Sequence, residues 1–463
     1  MDILIILLAL FFLMFVAYRG FSVILFAPVA ALLAVLLTEP DLVPVFFSGI
    51  FMEKTAGFIK LYFPVFLLGA IFGKLIEISG SARAIAIAII NIIGKQRAMF
   101  AIVLVGAVLT YGGVSLFVVA FALYPFAVEL FKAADIPKRL IPGTIALGAF
   151  TFTMDALPGT PQIQNIIPTT FFHTDTWAAP MLGLCGSILI FVSGMCYLEF
   201  RRKRALAAGE GYGKHNSDAA VHQDEGMPHP LIAILPLILV GICNKVFSGL
   251  IVQHYGESFD FTTIGIPNVS PLEISKYSAV WAVEAGLGIG IITVLATSFN
   301  RVRHQFKSGV QLSVGGALLA TLNTASEYGF GSVIAALPGF ARVHSNLGGA
   351  IKDPLINEAV TTTTLAGITG SASGGLSIAL ATMGDTYIKQ AAEAGISPEV
   401  MHRVAAMASG GMDTLPHNGA VITLLAITGL THKQSYIDIF VMTLIKTATV
   451  FLIILLYYLT GII

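Results

Sequence analysis

The chain has 463 residues, of which 56% are hydrophobic and 11% are charged, and its formal net charge at pH 7 is zero. A soluble domain carries about a quarter charged residues, so this composition excludes a water-facing globular surface and indicates a membrane protein. The neutral balance, without a basic patch interleaved with aromatic residues, also argues against nucleic acid as a partner.

Apolar stretches that can cross a bilayer recur along the whole chain. Crossing the roughly 30 Å of hydrocarbon takes about 17–25 residues in a helix. Such spans are predicted at residues 3–18, 21–37, 61–78, 181–198, 231–252, 277–297 and 441–459. They predict an all-α polytopic membrane protein, which we expect to cross a bacterial inner membrane several times with the lipid bilayer as its surroundings.

Charged residues between the spans indicate the orientation. Basic residues mark cytoplasmic segments, which places Arg19 inside and the acidic residues 39–41 outside. The basic run 201–204 opens the longest polar stretch, so residues 205–228 are predicted to be a cytoplasmic linker. Residues 253–276 are mainly acidic and are predicted to lie outside.

The two parts of the chain on either side of this linker carry the same motif. Met-Asp-x-Leu-Pro occurs at residues 154–158 and again at residues 412–416. A cluster of glycine and serine precedes each copy, at residues 112–115 and 370–374, and in both halves an apolar helix, a short charged turn and a second apolar helix follow the cluster. These four segments indicate an internal repeat.

The orientation and the repeat together predict two inverted-topology repeats. Residues 1–204 form the first repeat and residues 229–463 the second, and each is expected to contain a re-entrant hairpin and an interrupted helix. Proline removes a backbone donor and breaks the helix at the Asp-x-Leu-Pro stretch, which is tolerated in a membrane only where the chain is buried or lines a cavity. Repeats of opposite orientation are the usual construction of secondary active transporters.

The glycine and serine clusters are candidate binding sites for an anion. Small side chains let backbone N–H groups and a helix N-terminus approach a carboxylate closely. The alternative interpretation is close packing between helices, which also favours small residues. The predicted substrate-binding residues are Thr110, Tyr111, Gly112, Gly113, Ser115, Gly370, Ser371, Ser373, Gly374 and Asn418.

Ionisable residues in apolar surroundings are candidates for binding a coupling ion. A charge at the centre of a membrane helix costs about 2.5–3.5 kcal/mol on the insertion scale, so such a residue needs a functional explanation. Asp155 and Asp413 stand on the repeated motif, and the alternative for each is that it caps the following helix. The predicted coupling-ion residues are Asp155, Asp413, His417, Glu327 and Glu358.

The sequence contains no pattern that points to catalysis or to ATP. It has no Walker A motif, no His-Glu-x-x-His and no Gly-x-Ser-x-Gly, and its three cysteines lie in apolar stretches without metal-ligand spacing. We therefore expect a protein that is not an enzyme and that needs no cofactor or metal. An anion channel is the alternative from another functional class, and for a channel the repeat would be incidental.

Three segments give the chain a family resemblance: residues 358–361 (Glu-Ala-Val-Thr), residues 369–373 (Thr-Gly-Ser-Ala-Ser) and residues 416–419 (Pro-His-Asn-Gly). In them the chain resembles the gluconate permease (gluconate:proton symporter, GntP) family of the ion-transporter superfamily, and it is most similar to the branch labelled 3-hydroxybutyrate permease.

The resemblance implies a homodimer with paired re-entrant hairpins that takes up a small organic anion together with a proton. Residues 157–161 lack the histidine of the family's His-Pro-Gly-Pro-like stretch, which argues against gluconate. We expect symport of a small hydroxy monocarboxylate such as 3-hydroxybutyrate, with gluconate or another sugar acid as the alternative substrate. Sodium coupling stays open, because sodium and protons can both use Asp, Ser and backbone carbonyls.

Overall fold

The computed structural model of the chain describes residues 2–19, 21–94, 97–213, 227–337, 351–416 and 418–463. In these ranges the chain is helical, apart from turns and one small antiparallel hairpin of β1 (Ser258–Phe259) and β2 (Leu272–Glu273). Within the described ranges, five helices are long and apolar enough to cross a membrane: Pro40–Ile78, Pro180–Ala207, Pro230–Tyr255, Ser278–Val302 and His432–Thr460. The prediction of an all-α polytopic protein is confirmed.

The helices of the first half are α1 (Asp2–Tyr18), α2 (Val23–Thr38), α3 (Val43–Phe46), α4 (Glu53–Ile78), α5 (Ser81–Ile93), α6 (Ala98–Tyr111), α7 (Leu116–Ala133), α8 (Ile141–Ala149), α9 (Phe152–Asp155), α10 (Ile163–Phe172) and α11 (Pro180–Ala207). Those of the second half are α12 (Pro230–Tyr255), α13 (Ser278–Val302), α14 (Phe306–Ala336), α15 (Pro354–Thr369), α16 (Ala372–Glu393), α17 (Pro398–Ser409), α18 (Gly419–Thr428) and α19 (His432–Thr460). A π-helical stretch, Phe47–Met52, joins α3 to α4.

Both glycine and serine clusters reverse the chain between two helices. Gly113, between α6 and α7, has a φ of 92°, and Gly370, between α15 and α16, has a φ of 64°. Both values lie in the left-handed region, which glycine adopts without steric cost. We call residues 112–115 the first tip and residues 370–374 the second tip. That these helical hairpins re-enter the bilayer stays a prediction.

Corresponding helices of the two halves pack against each other in opposite directions. Helices α4 and α14 are the long helices ahead of the two tips. Thr55 near the start of α4 donates to the carbonyl of Ala325 at 3.3 Å, and Ser313 near the start of α14 donates to the carbonyl of Ala70 at 3.2 Å. The two helices are therefore antiparallel.

The helices that close the two halves show the same relation. The backbone N–H of Met181 at the start of α11 donates to Ile463 beyond the end of α19, at 3.3 Å. Arg201, near the other end of α11, pairs with Asp438 near the start of α19, at 2.8 Å. Helices α2 and α13 occupy corresponding places in the two halves. Each packs on the long helix of the other half, α2 on α14 and α13 on α4. The prediction of two inverted repeats is confirmed by these antiparallel pairs.

The outer face of α11 shows why this fold suits a bilayer. Leu184, Ile188 and Val192 are exposed and lie four residues apart, so they form one apolar ridge along the helix. Leu182 and Ile190 on the opposite face are buried. A long helix that is apolar on its exposed face as well as on its buried face has hydrocarbon, not water, as its neighbour.

Helix α11 continues to Ala207, three residues beyond the predicted end of the first repeat at residue 204, and the bounds of the two repeats stay a prediction. The beginning of the predicted linker is fastened to the turn after α7, where Arg139 pairs with Glu210 at 2.7 Å and the N–H of Tyr212 donates to Asp135 at 2.9 Å. Residues 214–226 of the linker lie outside the described residues. Its cytoplasmic location stays a prediction.

Candidate functional site

The first tip is fastened to the interrupted segment of its own half, residues 156–162. The hydroxyl of Tyr111 donates to the carbonyl of Pro158 at 2.9 Å, and the side-chain amide of Gln162 donates to the carbonyl of Thr110 at 2.8 Å. The carbonyl of Pro158 lies in the unwound chain between α9 and α10, where it has no helical partner and is free to accept. The structure therefore brings two of the predicted substrate-binding residues, Thr110 and Tyr111, onto the interrupted segment.

Apolar side chains from the second half cover this first tip. A Cβ built on Gly112 would overlap Leu237 of α12, and one built on Gly113 would lie 3.4 Å from Leu287 of α13. Ser115, which precedes α7, has its backbone N–H against Gly73 of α4. The small residues at the first tip therefore serve close packing in this conformation.

The second tip is bound to its own half in the corresponding way. The side-chain amide of Asn418 donates to the carbonyl of Gly370 at 2.7 Å. Its oxygen accepts from the backbone N–H groups of Ala420 and Val421 at 2.6 and 3.0 Å, so Asn418 also caps α18. One asparagine thus fixes the tip to the helix that follows the second motif.

Polar residues of α14 surround the second tip. Ser371 caps α16 by accepting from the N–H of Gly374 at 3.0 Å, and the hydroxyl of Ser373 lies 3.2 Å from that of Thr324. A Cβ built on Gly374 would overlap the carboxyl oxygen Oε2 of Glu327. Among the residues that the structure describes, none donates a hydrogen bond to this oxygen, although Glu327 is only 3% exposed. A buried carboxyl group thus stands at the N-terminal turn of α16.

Glu358 is a second buried carboxyl without a hydrogen-bond partner in the described ranges. It is 0% exposed on α15, three turns before the second tip, and both of its carboxyl oxygens lack a donor there. Its neighbour Asn357 accepts from the hydroxyl of Tyr387 at 3.3 Å. Because three helical turns separate Glu358 from the second tip, Glu358 lies away from the tip that Glu327 contacts.

The aspartates of the two repeated motifs meet at one lysine. Lys446 of α19 places Nζ 3.0 Å from Oδ2 of Asp155 and 3.6 Å from Oδ1 of Asp413, and it donates to the carbonyl of Phe150 at 3.0 Å. The side chains of Lys446 and Asp155 are each 2% exposed. A Cβ built on Gly410 would overlap both Asp155 Oδ2 and the lysine nitrogen, so glycine is needed beside this ion pair.

The alternative reading of the two aspartates as helix caps is wrong. Helix α10 begins after Gln162 and α18 begins after Asn418, so neither Asp155 nor Asp413 stands at an N-cap. Sequence reasoning missed Lys446, although it is the one charged residue inside the predicted span 441–459 and that isolation was the available signal.

Arg403, which sequence reasoning also missed, binds the first half from the second. It is fully buried on α17, and its guanidinium group donates to the carbonyls of Asp155 at 3.3 Å, Thr176 at 3.4 Å and Ala178 at 2.7 Å. It also donates to the side-chain oxygen of Asn165 at 3.0 Å. Its acceptors are neutral oxygens, and they use the planar fork of donors that arginine provides.

His417 lies outside the described residues, so its coupling role stays a prediction. In the part of the chain that the structure describes, no three His, Cys, Asp or Glu side chains form a group that could hold a metal ion. Two cavities lie away from the tips: an apolar groove of about 330 Å³ between α1 and α2, and a polar one of about 220 Å³ beside Arg139 and Glu210.

Comparison with known proteins gives one family. The sequence model described as GntP family permease matches residues 1–459. A Bacillus subtilis (strain 168) protein described as an uncharacterized transporter, YxjC, is 60% identical over 472 residues, which cover 100% of both chains. An uncharacterized transporter of Haemophilus influenzae is 26% identical over 241 residues, or 48% of this chain and 54% of its own. The crystal structure of the Alcanivorax borkumensis YdaH transporter matches with a TM-score of 0.49 and 17% identity, over 92% of this chain and 90% of that one.

Proposed function

The chain belongs to the GntP permease family, and from this membership we propose that it is a proton-coupled symporter of a small hydroxy monocarboxylate such as 3-hydroxybutyrate. Membership makes it a transporter, while the substrate and the coupling ion are our proposal. The observation that supports the proposal most is the buried carboxyl of Glu327 at the second tip, where a substrate carboxylate would bind.

The second tip has the donors that a carboxylate needs. The first turn of α16 offers backbone N–H groups and the positive end of the helix dipole, and Ser371 and Ser373 add hydroxyl groups. These donors are few, which suits a short hydroxy acid better than a sugar acid with many hydroxyl groups.

Glu327 links the binding of this anion to the binding of a proton. Two negative charges about 4 Å apart repel each other by about 4 kcal/mol at an effective dielectric constant of 20. An ionised Glu327 would therefore oppose a substrate carboxylate at the second tip, whereas a protonated Glu327 would donate a hydrogen bond to it. Each ligand then raises the affinity for the other, which is the thermodynamic basis of symport.

Reconstituted protein tests this proposal directly. We expect labelled 3-hydroxybutyrate to accumulate in proteoliposomes that are more alkaline inside than outside, and the accumulation to collapse when a protonophore is added. Uptake that ignores the pH gradient would contradict proton coupling. Uptake that prefers gluconate would favour the sugar-acid alternative, and equilibration without accumulation would favour a channel.

The family resemblance also supports a homodimer in the bacterial inner membrane, with linker 205–228 in the cytoplasm. Light scattering of the purified protein in detergent tests the dimer, and a particle mass of one chain would contradict it.

A further inference from the structure

The ammonium group of Lys446 lies between the carboxylates of Asp155 and Asp413, as a bound cation would. Its two carboxylates come from the interrupted segments of opposite repeats, where transporters commonly coordinate their coupling cation. The ammonium group is within 3.6 Å of three oxygen atoms, from Asp155, Asp413 and the carbonyl of Phe150. Carboxylate and carbonyl oxygens are the ligands that hard metal cations prefer.

We propose that Lys446 is a built-in cation that takes the place of a sodium ion between the two repeats. The side chain fills the position between Asp155 and Asp413, so this transporter binds no sodium there and depends on the proton for coupling. This inference rests on the proposed function as a cation-coupled carrier. It adds that sodium is excluded from the position of Lys446.

The charges around Lys446 support the exclusion of a sodium ion. The two aspartates and one lysine carry a formal net charge of minus one, and the buried guanidinium of Arg403, bonded to the backbone of Asp155, brings the formal sum of these buried groups to zero. Asp175, the other carboxylate that faces Arg403, is only partly buried. An added sodium ion would leave one uncompensated positive charge in a buried region, which is costly. Without the lysine, the same region would carry a net negative charge and would attract a cation.

One further atom shows that the group has unused capacity for a cation. Asp155 Oδ1 is buried and accepts no hydrogen bond within the described residues, and Asp413 Oδ1 is held only by its 3.6 Å contact with Lys446. Lysine provides a single charged group at the end of a flexible chain, so it satisfies one oxygen of each carboxylate at most. Removal of the side chain would leave carboxylate oxygens directed at an empty position of roughly the right polarity for sodium.

The test is thermal unfolding of the full-length purified protein in sodium chloride and in choline chloride at equal ionic strength. We expect the wild type to unfold at the same temperature in both salts. We expect the Lys446→Ala variant to be stabilised by several degrees in sodium, with a saturable dependence on concentration, because a ligand that binds only the folded state raises its stability. The Lys446→Ala/Asp413→Asn double variant should lose most of this response.

Two results would overturn the inference: a sodium-specific stabilisation of the wild type, or a folded Lys446→Ala variant that unfolds identically in both salts. If the alanine variant folds in neither salt, the Lys446→Ser variant, which leaves nearly the same space, takes its place under the same criteria. The measurement requires no substrate and no transport, so its failure is distinguishable from a failure of the uptake experiment.

Discussion

The Glu327→Gln variant is expected to lose accumulation driven by a pH gradient while it keeps the exchange of internal for external substrate. Glutamine has nearly the shape of a protonated glutamate, so the second tip should still accept a carboxylate. It carries no proton to release, however, so binding and release of the anion are no longer linked to the proton. In proteoliposomes we expect the accumulation ratio to fall to unity, with counterflow of labelled substrate retained.

Two other glutamates serve as controls that test whether the effect is specific to Glu327. Glu284 of α13 is also a glutamate in an apolar helix, and the Glu284→Gln variant should accumulate substrate as the wild type does. Glu358 is as buried as Glu327 but stands three turns from the second tip. If Glu358→Gln abolishes accumulation while Glu327→Gln retains it, the coupling proton is bound on α15 and our assignment is wrong.

The Arg403→Lys variant is expected to be strongly destabilised although it keeps the charge. A lysine ammonium group has three donors on a compact head and cannot reproduce the fork that holds Asp155, Asn165, Thr176 and Ala178 together. Leaving a buried acceptor without its partner costs about 1–3 kcal/mol for each group. We expect a large drop in unfolding temperature and in the yield of folded protein.

Arg202 provides the matched control for this substitution. It lies near the end of α11, pairs with Glu199, and is partly exposed, so the Arg202→Lys variant should change stability by less than about 1 kcal/mol. Equal unfolding temperatures for Arg403→Lys and Arg202→Lys would show that the guanidinium network does not hold the first half in place.

The sequence was sufficient to predict the class of fold because the relevant signals are local. The length of an apolar stretch determines whether it can span hydrocarbon, and Met-Asp-x-Leu-Pro at 154–158 and 412–416 identifies the two halves without any knowledge of their contacts. The glycines of both clusters also indicated where the chain reverses. The contacts of Tyr111 and Asn418 then show that each tip lies beside the interrupted segment of its own half.

The partners of the buried charges were not predictable from local pattern. Lys446 follows Asp155 by nearly three hundred positions, and the packing of α19 on α8 and α11 brings it to the first motif. Arg403 lies in a short helix, and the oxygen atoms that accept its hydrogen bonds lie in the other half of the chain. Their meeting depends on tertiary packing, for which the sequence contains no periodic signal.

The sequence pattern also did not predict that the first tip has apolar neighbours and the second tip polar ones. Both have small residues, and the sequence predicts anion binding at both. The structure packs Leu237 against Gly112 and Glu327 against Gly374, because α12 and α13 cover one tip whereas α14 covers the other. The polar tip is therefore the better place to test for substrate, and Gly370, Ser371, Ser373 and Gly374 carry the proposal.

Labelling of single cysteines tests most directly whether the two halves of the chain face opposite sides of the membrane. Ala133 at the end of α7 and Ala394 just after α16 are exposed and occupy corresponding places after the two tips. In a variant whose three native cysteines are replaced by alanine, an impermeant maleimide added to intact cells should label Ala394→Cys. It should label Ala133→Cys only after the membrane has been permeabilised. Labelling of both positions from the same side would contradict the inverted repeat, and the account of coupling with it.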